Sequence, residues 1–312
     1  MTAARSVSVV VPVFGGGECL EELVAGVEEA LRATTPELEI VLVNDGSPGP
    51  AWERICSLAA RSPHVRGIDL VRNFGQHNAL LTGIRASKGE VVVTMDDDLQ
   101  HPPAEIPALL NALEAGADLV YGTPREAQHS FFRNATSVSG KLLLSMIFGA
   151  SMARQISAFR AFRGDLRRLF EDFRSPDVSL DVLLSWGAVR IGSVPVRHDS
   201  RHAGRSQYTL TKLVRHWVNM VFGFTTWPLR VASVTGFVFL LFGGVVLVWV
   251  LGRYLMLGGS VPGFPFLACL VTIFSGVQLF SLGVIGEYMA RLYLRGLDRP
   301  PYVVRTTVNL GA

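Results

Sequence analysis

Three consecutive aspartates, Asp96, Asp97 and Asp98, follow the β-branched run EVVVTM, and Gln100 and a proline pair come directly after them. A second carboxylate, Asp45, ends another such run, LEIVLVN. On a strand successive side chains point to opposite faces, which predicts that Asp96 and Asp98 lie together while Asp97 points elsewhere. Two carboxylates side by side repel unless a cation lies between them, and an all-oxygen donor set suits Mg2+ or Mn2+. Gln100, two residues further along the same face, would offer a carbonyl oxygen as the third protein ligand. Such an ion keeps open positions that diphosphate oxygens can fill, and it neutralises the charge of a departing diphosphate during group transfer. The spacing therefore predicts a metal set of Asp96, Asp98 and Gln100, with a solvated acidic turn as the alternative.

These residues need strands that end at one edge of a sheet. Up to about residue 200 the chain alternates short β-branched runs with helical periodicity, which predicts an α/β domain with a mostly parallel sheet. SVSVVVPVF is a strand, and CLEELVAGVEEALRA puts Leu20, Leu23, Val24, Val27 and Leu31 on one helical face. LEIVLVNDGS and VRGIDLVRN are the second and third strands, NALLTGIRAS a helix, and EVVVTMDDD the fourth strand. In open α/β sheets ligands bind beyond the carboxyl ends of the strands, where Asp45 and the triplet both fall.

From about residue 228 the character changes. PLRVASVTGFVFLLFGGVVLVWVLG and FPFLACLVTIFSGVQLFSLGVIG each run beyond 20 residues with almost no charge, enough to cross a hydrocarbon core of about 30 Å as helices. The short GGSVPG link between them predicts an antiparallel membrane hairpin, with spans at about 229–253 and 264–287 within the segment 229–289. Arg230 lies at the start of the first span, Arg291, Arg295, Arg299 and Arg305 follow the second, and Arg253 alone lies near the link. By the positive-inside rule the catalytic domain (1–204) and the tail (290–312) are then cytoplasmic, in a multi-pass protein of the inner or plasma membrane. The segment 205–228 mixes Lys212, Arg215 and His216 with Trp, Leu, Val and Phe, as an amphipathic helix at the headgroup level would. A hydrophobic fraction of 49% over 312 residues fits a membrane part. A net charge of +3 is too mild to argue for nucleic acid. Cys19, Cys56 and Cys269 are scattered, without metal-ligand or disulfide spacing, and fit a reducing compartment. The seven-residue apolar run before Pro12 reads as a strand and not as a signal peptide.

The segments VVPVF, VLVNDGS, LVRNFGQHNALLTG, MDDDLQHPPAEIP and GEYMARLYLRGLDRPPYVV occur in that order. The chain resembles, over nearly its whole length, family 2 glycosyltransferases of the polyprenyl-phosphate type. It is similar to dolichol-phosphate mannose synthases, and most similar to bacterial enzymes that move glucose or 4-amino-4-deoxy-arabinose onto undecaprenyl phosphate. The resemblance implies a GT-A fold and a nucleotide sugar donor, UDP- or GDP-linked, held by Pro12, Val13 and Phe14 on the first loop and by Asp45. It also implies that Asp97 lies near the sugar or nucleotide, and that Asp96 and Asp98 act in catalysis through the metal.

For the acceptor, the resemblance implies phosphate contacts from an Arg/Ser pair. Arg133 and Ser137 stand at an i, i+4 helical spacing behind Arg125, so that guanidinium and hydroxyl could meet one phosphate. RHDSRHAGRSQY resembles a mobile loop that closes over the pyrophosphate, with Arg201, Gly204, Arg205, Ser206 and Tyr208; Arg205 is its catalytic candidate, and Gln207 replaces the family's lysine. A phosphate monoester is an anion at neutral pH, so inverting attack on the anomeric carbon needs no strong base. Two departures stand out: Phe14-Gly15-Gly16 replaces Tyr-Asn-Glu in the first loop, and Arg154 falls where the family often has an aspartate. Asp177 and Asp181 offer a replacement carboxylate, or else SPDVSLDVLL is a helix start capped by Ser175 or Asp177. A processive polysaccharide synthase would carry a Gln-x-x-Arg-Trp element and more spans. The other alternative is a catalytically degenerate member that binds nucleotide sugar or lipid phosphate as a scaffold or sensor. Two spans are too few to enclose a lipid path, so a homo-oligomer is expected.

Overall fold

The computed structural model describes residues 6–125, 155–175, 178–199, 222, 225–257 and 263–310. The chain divides into two compact units, one formed by Met1–Tyr208 with Arg299–Ala312 and the other by Thr209–Asp298.

Among the described residues, the first unit holds an eight-stranded sheet. Its strands are β1 (Ser6–Val13), β2 (Glu37–Asn44), β3 (Val65–Leu70), β4 (Val91–Thr94), β5 (Leu119–Pro124), β6 (Arg160–Arg163), β7 (Ile191–Val196) and β8 (Val304–Val308), in the spatial order β7-β5-β6-β4-β1-β2-β3-β8. β1 runs parallel to β2 and β4, β2 to β3, and β5 to β7; β6 and β8 run antiparallel to their neighbours. The chain moves outward from β1 through β2 and β3, then returns to β1's other side as β4. That reversal opens a crevice beyond the carboxyl ends of β1 and β4, the usual ligand site of such sheets.

Strand alternation divides the core. Val7, Val9, Val11 and Val13 of β1 face one layer with α1 (Leu20–Leu31), α2 (Ala51–Arg61) and α4 (Ile106–Glu114). Val10, Val41 and Val43 face the other, with α3 (Gln76–Ala86) and α5 (Leu180–Gly187). With both faces covered, the central strands read as continuous Val/Ile/Leu runs. In α1 the five residues predicted to share a face, Leu20, Leu23, Val24, Val27 and Leu31, are the buried ones.

Two features differ from the sequence reading. β8 comes from the segment read as a tail: it pairs antiparallel with the edge of β3, and Arg305 sits within it. α5 begins at Leu180 with Ser179 at its N-cap, not Ser175 or Asp177.

The second unit carries α6 (Trp227–Leu257) and α7 (Phe264–Gly296). Trp227–Met256 and Ile273–Gly296 are each long and apolar enough to cross a membrane. The helices pack antiparallel: Phe239 meets Phe274 edge-on at 6.0 Å between ring centroids, and the Tyr288 hydroxyl donates to the Thr225 carbonyl at 2.5 Å. Their outward side chains are mostly apolar and exposed, as a lipid-facing surface requires.

Candidate active site

The acidic triplet begins where its strand runs out of partners. β4 pairs with β1 and β6 only as far as Thr94, opposite Val10 and Arg160. Met95 is still buried, and then the chain turns, with Leu99 in the left-handed region at φ 57°. The strand alternation expected to align Asp96, Asp98 and Gln100 therefore stops before the triplet, because no ladder remains to keep it extended. The three carboxylates instead crowd one half-buried turn. Burial pushes the Asp97 carboxyl up to about 7, the charge of Asp96 adds to this, the Phe14 N–H opposes it by hydrogen bonding, and Asp98 adds a further push. Gln100 is held through its backbone: its N–H donates to Asp98 Oδ1 at 3.1 Å, and its carbonyl accepts from the Asp199 N–H at 2.8 Å.

Among the described residues no three carboxylate, imidazole or thiolate side chains form a ready-made metal cage. A divalent cation nevertheless fits the turn. Three carboxylates share it, burial and then the Asp96 charge raise the pKa of Asp97, and the donors are hard oxygens. Mg2+ in particular is commonly held by one or two carboxylates, with phosphate oxygens and water completing its shell.

The first loop leaves β1 opposite this turn. Pro12 and Val13 are buried at the strand end, whereas Phe14 is 43% exposed. Asp45, the other residue expected to meet the nucleotide, lies at the end of β2. It is 2% exposed, and its two oxygens accept the N–H groups of Phe74 at 2.7 Å and Gly75 at 2.9 Å. Burial raises its pKa while those two bonds lower it. Asp45 thus fastens the RNFGQ loop, and Gln76, the first residue of α3, donates from Nε2 to Asp96 Oδ1 at 2.6 Å. Two motifs 20 residues apart in sequence meet here, although the sequence reading gave Gln76 no role.

Gly46 makes this approach possible. Its φ is +61°, and a Cβ would fall 2.3 Å from the carbonyl carbon of Arg72. Gly46→Ala is expected to cost about 1–3 kcal/mol from the left-handed backbone alone, and more from the clash, read as a lower unfolding midpoint of the detergent-solubilised protein.

Behind the turn lies a buried polar cluster. Arg160 Nε donates to Thr94 Oγ1 at 3.1 Å, its Nη1 pairs with Asp181, and the Tyr121 hydroxyl donates to Asp181 Oδ1 at 2.9 Å. Asp181 is therefore committed to the core and is not a free carboxylate for catalysis. His101 stacks on Phe159 at 5.2 Å and meets His198 at 4.8 Å. Burial, then His198, push its pKa down to about 4, so it is a neutral wall residue. Arg125, at the end of β5, pairs with Glu105 at 3.2 Å. Arg133, Ser137, Arg154, Asp177, Arg201, Gly204, Arg205, Ser206 and Tyr208 lie outside the described residues.

The sequence model described as glycosyl transferase family 2 matches residues 8–172. The undecaprenyl-phosphate 4-deoxy-4-formamido-L-arabinose transferase of Edwardsiella ictaluri (strain 93-146) is 34% identical over 97% of this chain and 94% of its own. The Serratia proteamaculans (strain 568) protein of the same name is 33% identical over 98% and 94%. Among solved structures, glucosyl-3-phosphoglycerate synthase from Mycobacterium tuberculosis, crystallised with Mn2+, UDP and phosphoglyceric acid, superposes with a TM-score of 0.53. It is 19% identical and covers 70% of this chain and 76% of that one, a likeness of fold. The same enzyme with Mg2+ and UDP gives 0.51 at 17% identity, over 70% and 77%. The family match spans more than half of the chain and the relatives align along nearly all of it: the chain belongs to glycosyl transferase family 2 and is a glycosyltransferase of the GT-A fold.

Proposed function

We propose that the protein transfers a sugar from a nucleoside diphosphate sugar to a polyprenyl phosphate, with inversion at the anomeric carbon. The observation that carries this reading is the acidic turn at the carboxyl end of β4, which the backbone N–H of Phe14, just past the end of β1, reaches through Asp97. The relatives named as undecaprenyl-phosphate transferases support the acceptor class. The fold neighbours, crystallised with UDP and Mn2+ or Mg2+, support the donor class and a divalent cation.

Asp96 and Asp98 would hold the cation, which supplies charge neutralisation for the departing diphosphate. Gln76 orients Asp96, and the Gln100 amide orients Asp98. Gln100 could join as a third ligand only through its side chain, since its backbone carbonyl is already bonded. Phe14 offers a face for the base. The donor contacts of Pro12 and Val13 would be made by backbone, and Asp45 serves by holding the loop that carries Gln76. Arg125, Arg133 and Ser137 are assigned to the acceptor phosphate, and Arg205 to closing over the pyrophosphate. The acceptor's second pKa is about 6, so it arrives as a dianion and no residue has to remove a proton from it. Catalysis is then positioning and charge neutralisation.

α6 and α7 cross the membrane in this reading, and Arg291, Arg295 and Arg299 keep the catalytic unit on the cytoplasmic side. Membranes incubated with labelled UDP- and GDP-sugars and Mg2+ or Mn2+ are expected to yield an organic-extractable label released by mild acid. Nucleotide binding with no labelled lipid from any donor would instead identify a non-catalytic binder.

A further inference from the structure

The last strand of the chain reaches the donor side of the crevice through an unbroken line of polar contacts. In the β3–β8 pairing, Asp69 lies opposite Thr306 and Leu70 opposite Val304, so Arg305 is the extra residue of a bulge between them. A bulge frees one side chain from the ladder and re-aims it. Arg305 uses this freedom: Nη1 donates to Asp69 Oδ2 at 3.1 Å and Nη2 to the Val71 carbonyl at 2.7 Å. Asp69 is 1% exposed, and its other oxygen accepts from Asn44 Nδ2 at 2.7 Å. Asn44 Oδ1 accepts the Ser47 N–H at 3.3 Å. Ser47 Oγ accepts the Gly15 N–H at 3.1 Å and donates to the Val13 carbonyl at 3.4 Å. The line thus runs from β8 across the ends of β3 and β2 to the loop that carries Phe14.

That loop needs such a tether. It continues as Gly15-Gly16-Gly17, with φ of 128° at Gly15 and 63° at Gly17, and glycine loses more conformational entropy on ordering than any other residue. A buried carboxylate such as Asp69 orients Asn44 reliably only while its charge is compensated, because removing one partner of a buried pair leaves the other to seek water or a new arrangement.

We infer that Arg305 is a positioning residue for the donor site. By neutralising Asp69 it holds Asn44 and Ser47 in the orientation that anchors the first loop, so residues after the membrane helices help set the affinity for nucleotide. The inference rests on the proposed donor class for its binding consequence, but not for its effect on the loop.

The test uses the full-length protein in detergent. β8 keeps its main-chain pairing in Arg305→Ala, and Asn309 Nδ2 still bonds the Ala59 and Val65 carbonyls, so the strand stays in place. Without ligand, amide exchange at Gly15 and Ser47 is expected to rise about tenfold in Arg305→Ala while α1 and β4 are unchanged. UDP or GDP with Mn2+, whichever the parent protein binds, should bind about tenfold more weakly, with KM for polyprenyl phosphate unchanged. Adding Asp69→Asn removes the uncompensated charge but keeps an acceptor for Asn44, and should restore both loop protection and nucleotide affinity. Unchanged exchange at Gly15 and Ser47, a uniform rise across the sheet, or a double variant as loose as the single one would each overturn the inference. If the parent binds neither nucleotide while the exchange pattern holds, it is the donor assignment that fails and the positioning role stands.

Discussion

Asp98→Ala is expected to lower sugar transfer by about a thousandfold, ~4 kcal/mol of transition-state stabilisation, with the protein still folded and in the membrane fraction. Asp98 is half-buried, and among its bonds is one to the Gln100 amide, which can turn to water. The substitution leaves the core residues of this segment, Met95 and Leu99, in place. What it removes is one of two hard oxygen donors in a turn where burial, and then the Asp96 charge, push Asp97 up to about 7. The assay is labelled-sugar transfer on membranes, paired with Mn2+ binding in the presence of UDP or GDP. Loss of turnover together with weaker Mn2+ binding fits the assignment. Turnover within a few-fold of the parent would remove Asp98 from the metal set and, with it, the main support for diphosphate chemistry.

The second large effect falls on stability. Asp181→Ala leaves the Arg160 guanidinium, 3% exposed, without its carboxylate and strips the Tyr121 hydroxyl of its acceptor. Breaking a buried pair from one side costs about 3–5 kcal/mol, because the surviving charge is neither solvated nor compensated. Burial raises the Tyr121 pKa with or without Asp181, so its hydroxyl stays a donor in search of a partner. Thr94 offers Arg160 one neutral acceptor, which does not replace a charge. Chemical denaturation of the solubilised protein should show the drop, and Asp181→Asn, which keeps an acceptor, should lie between variant and parent. If Asp181→Ala unfolded normally yet failed to transfer sugar, the carboxylate would have a role in the reaction that its burial argues against.

These two aspartates illustrate how differently the sequence speaks about similar residues. Asp98 is legible because its neighbours are: a β-branched run that stops at a charged triplet marks a strand end wherever the strand lies in the sheet. Asp181 is not, since its partners Arg160 and Tyr121 lie on β6 and β5, and no local pattern pairs them with α5. Asp45 shows the intermediate case. Its place at the end of β2 could be read, but both of its oxygens are spent on amides about 30 residues away, which depends on β2 and β3 lying side by side.

The chain's own order of residues was enough to determine the alternating α/β core, the face of α1 that packs inward, the strand-end position of the acidic turn and the two apolar helices. Each of these follows from a period of two or 3.6, or from an uninterrupted apolar length, which are local properties. Only the tertiary structure decided that the triplet bends instead of extending, that Gln76 reaches Asp96, and that Arg305 meets Asp69 across 236 residues. Those contacts form because strands distant in sequence become neighbours, and a buried polar group then takes whichever partner the sheet brings within reach.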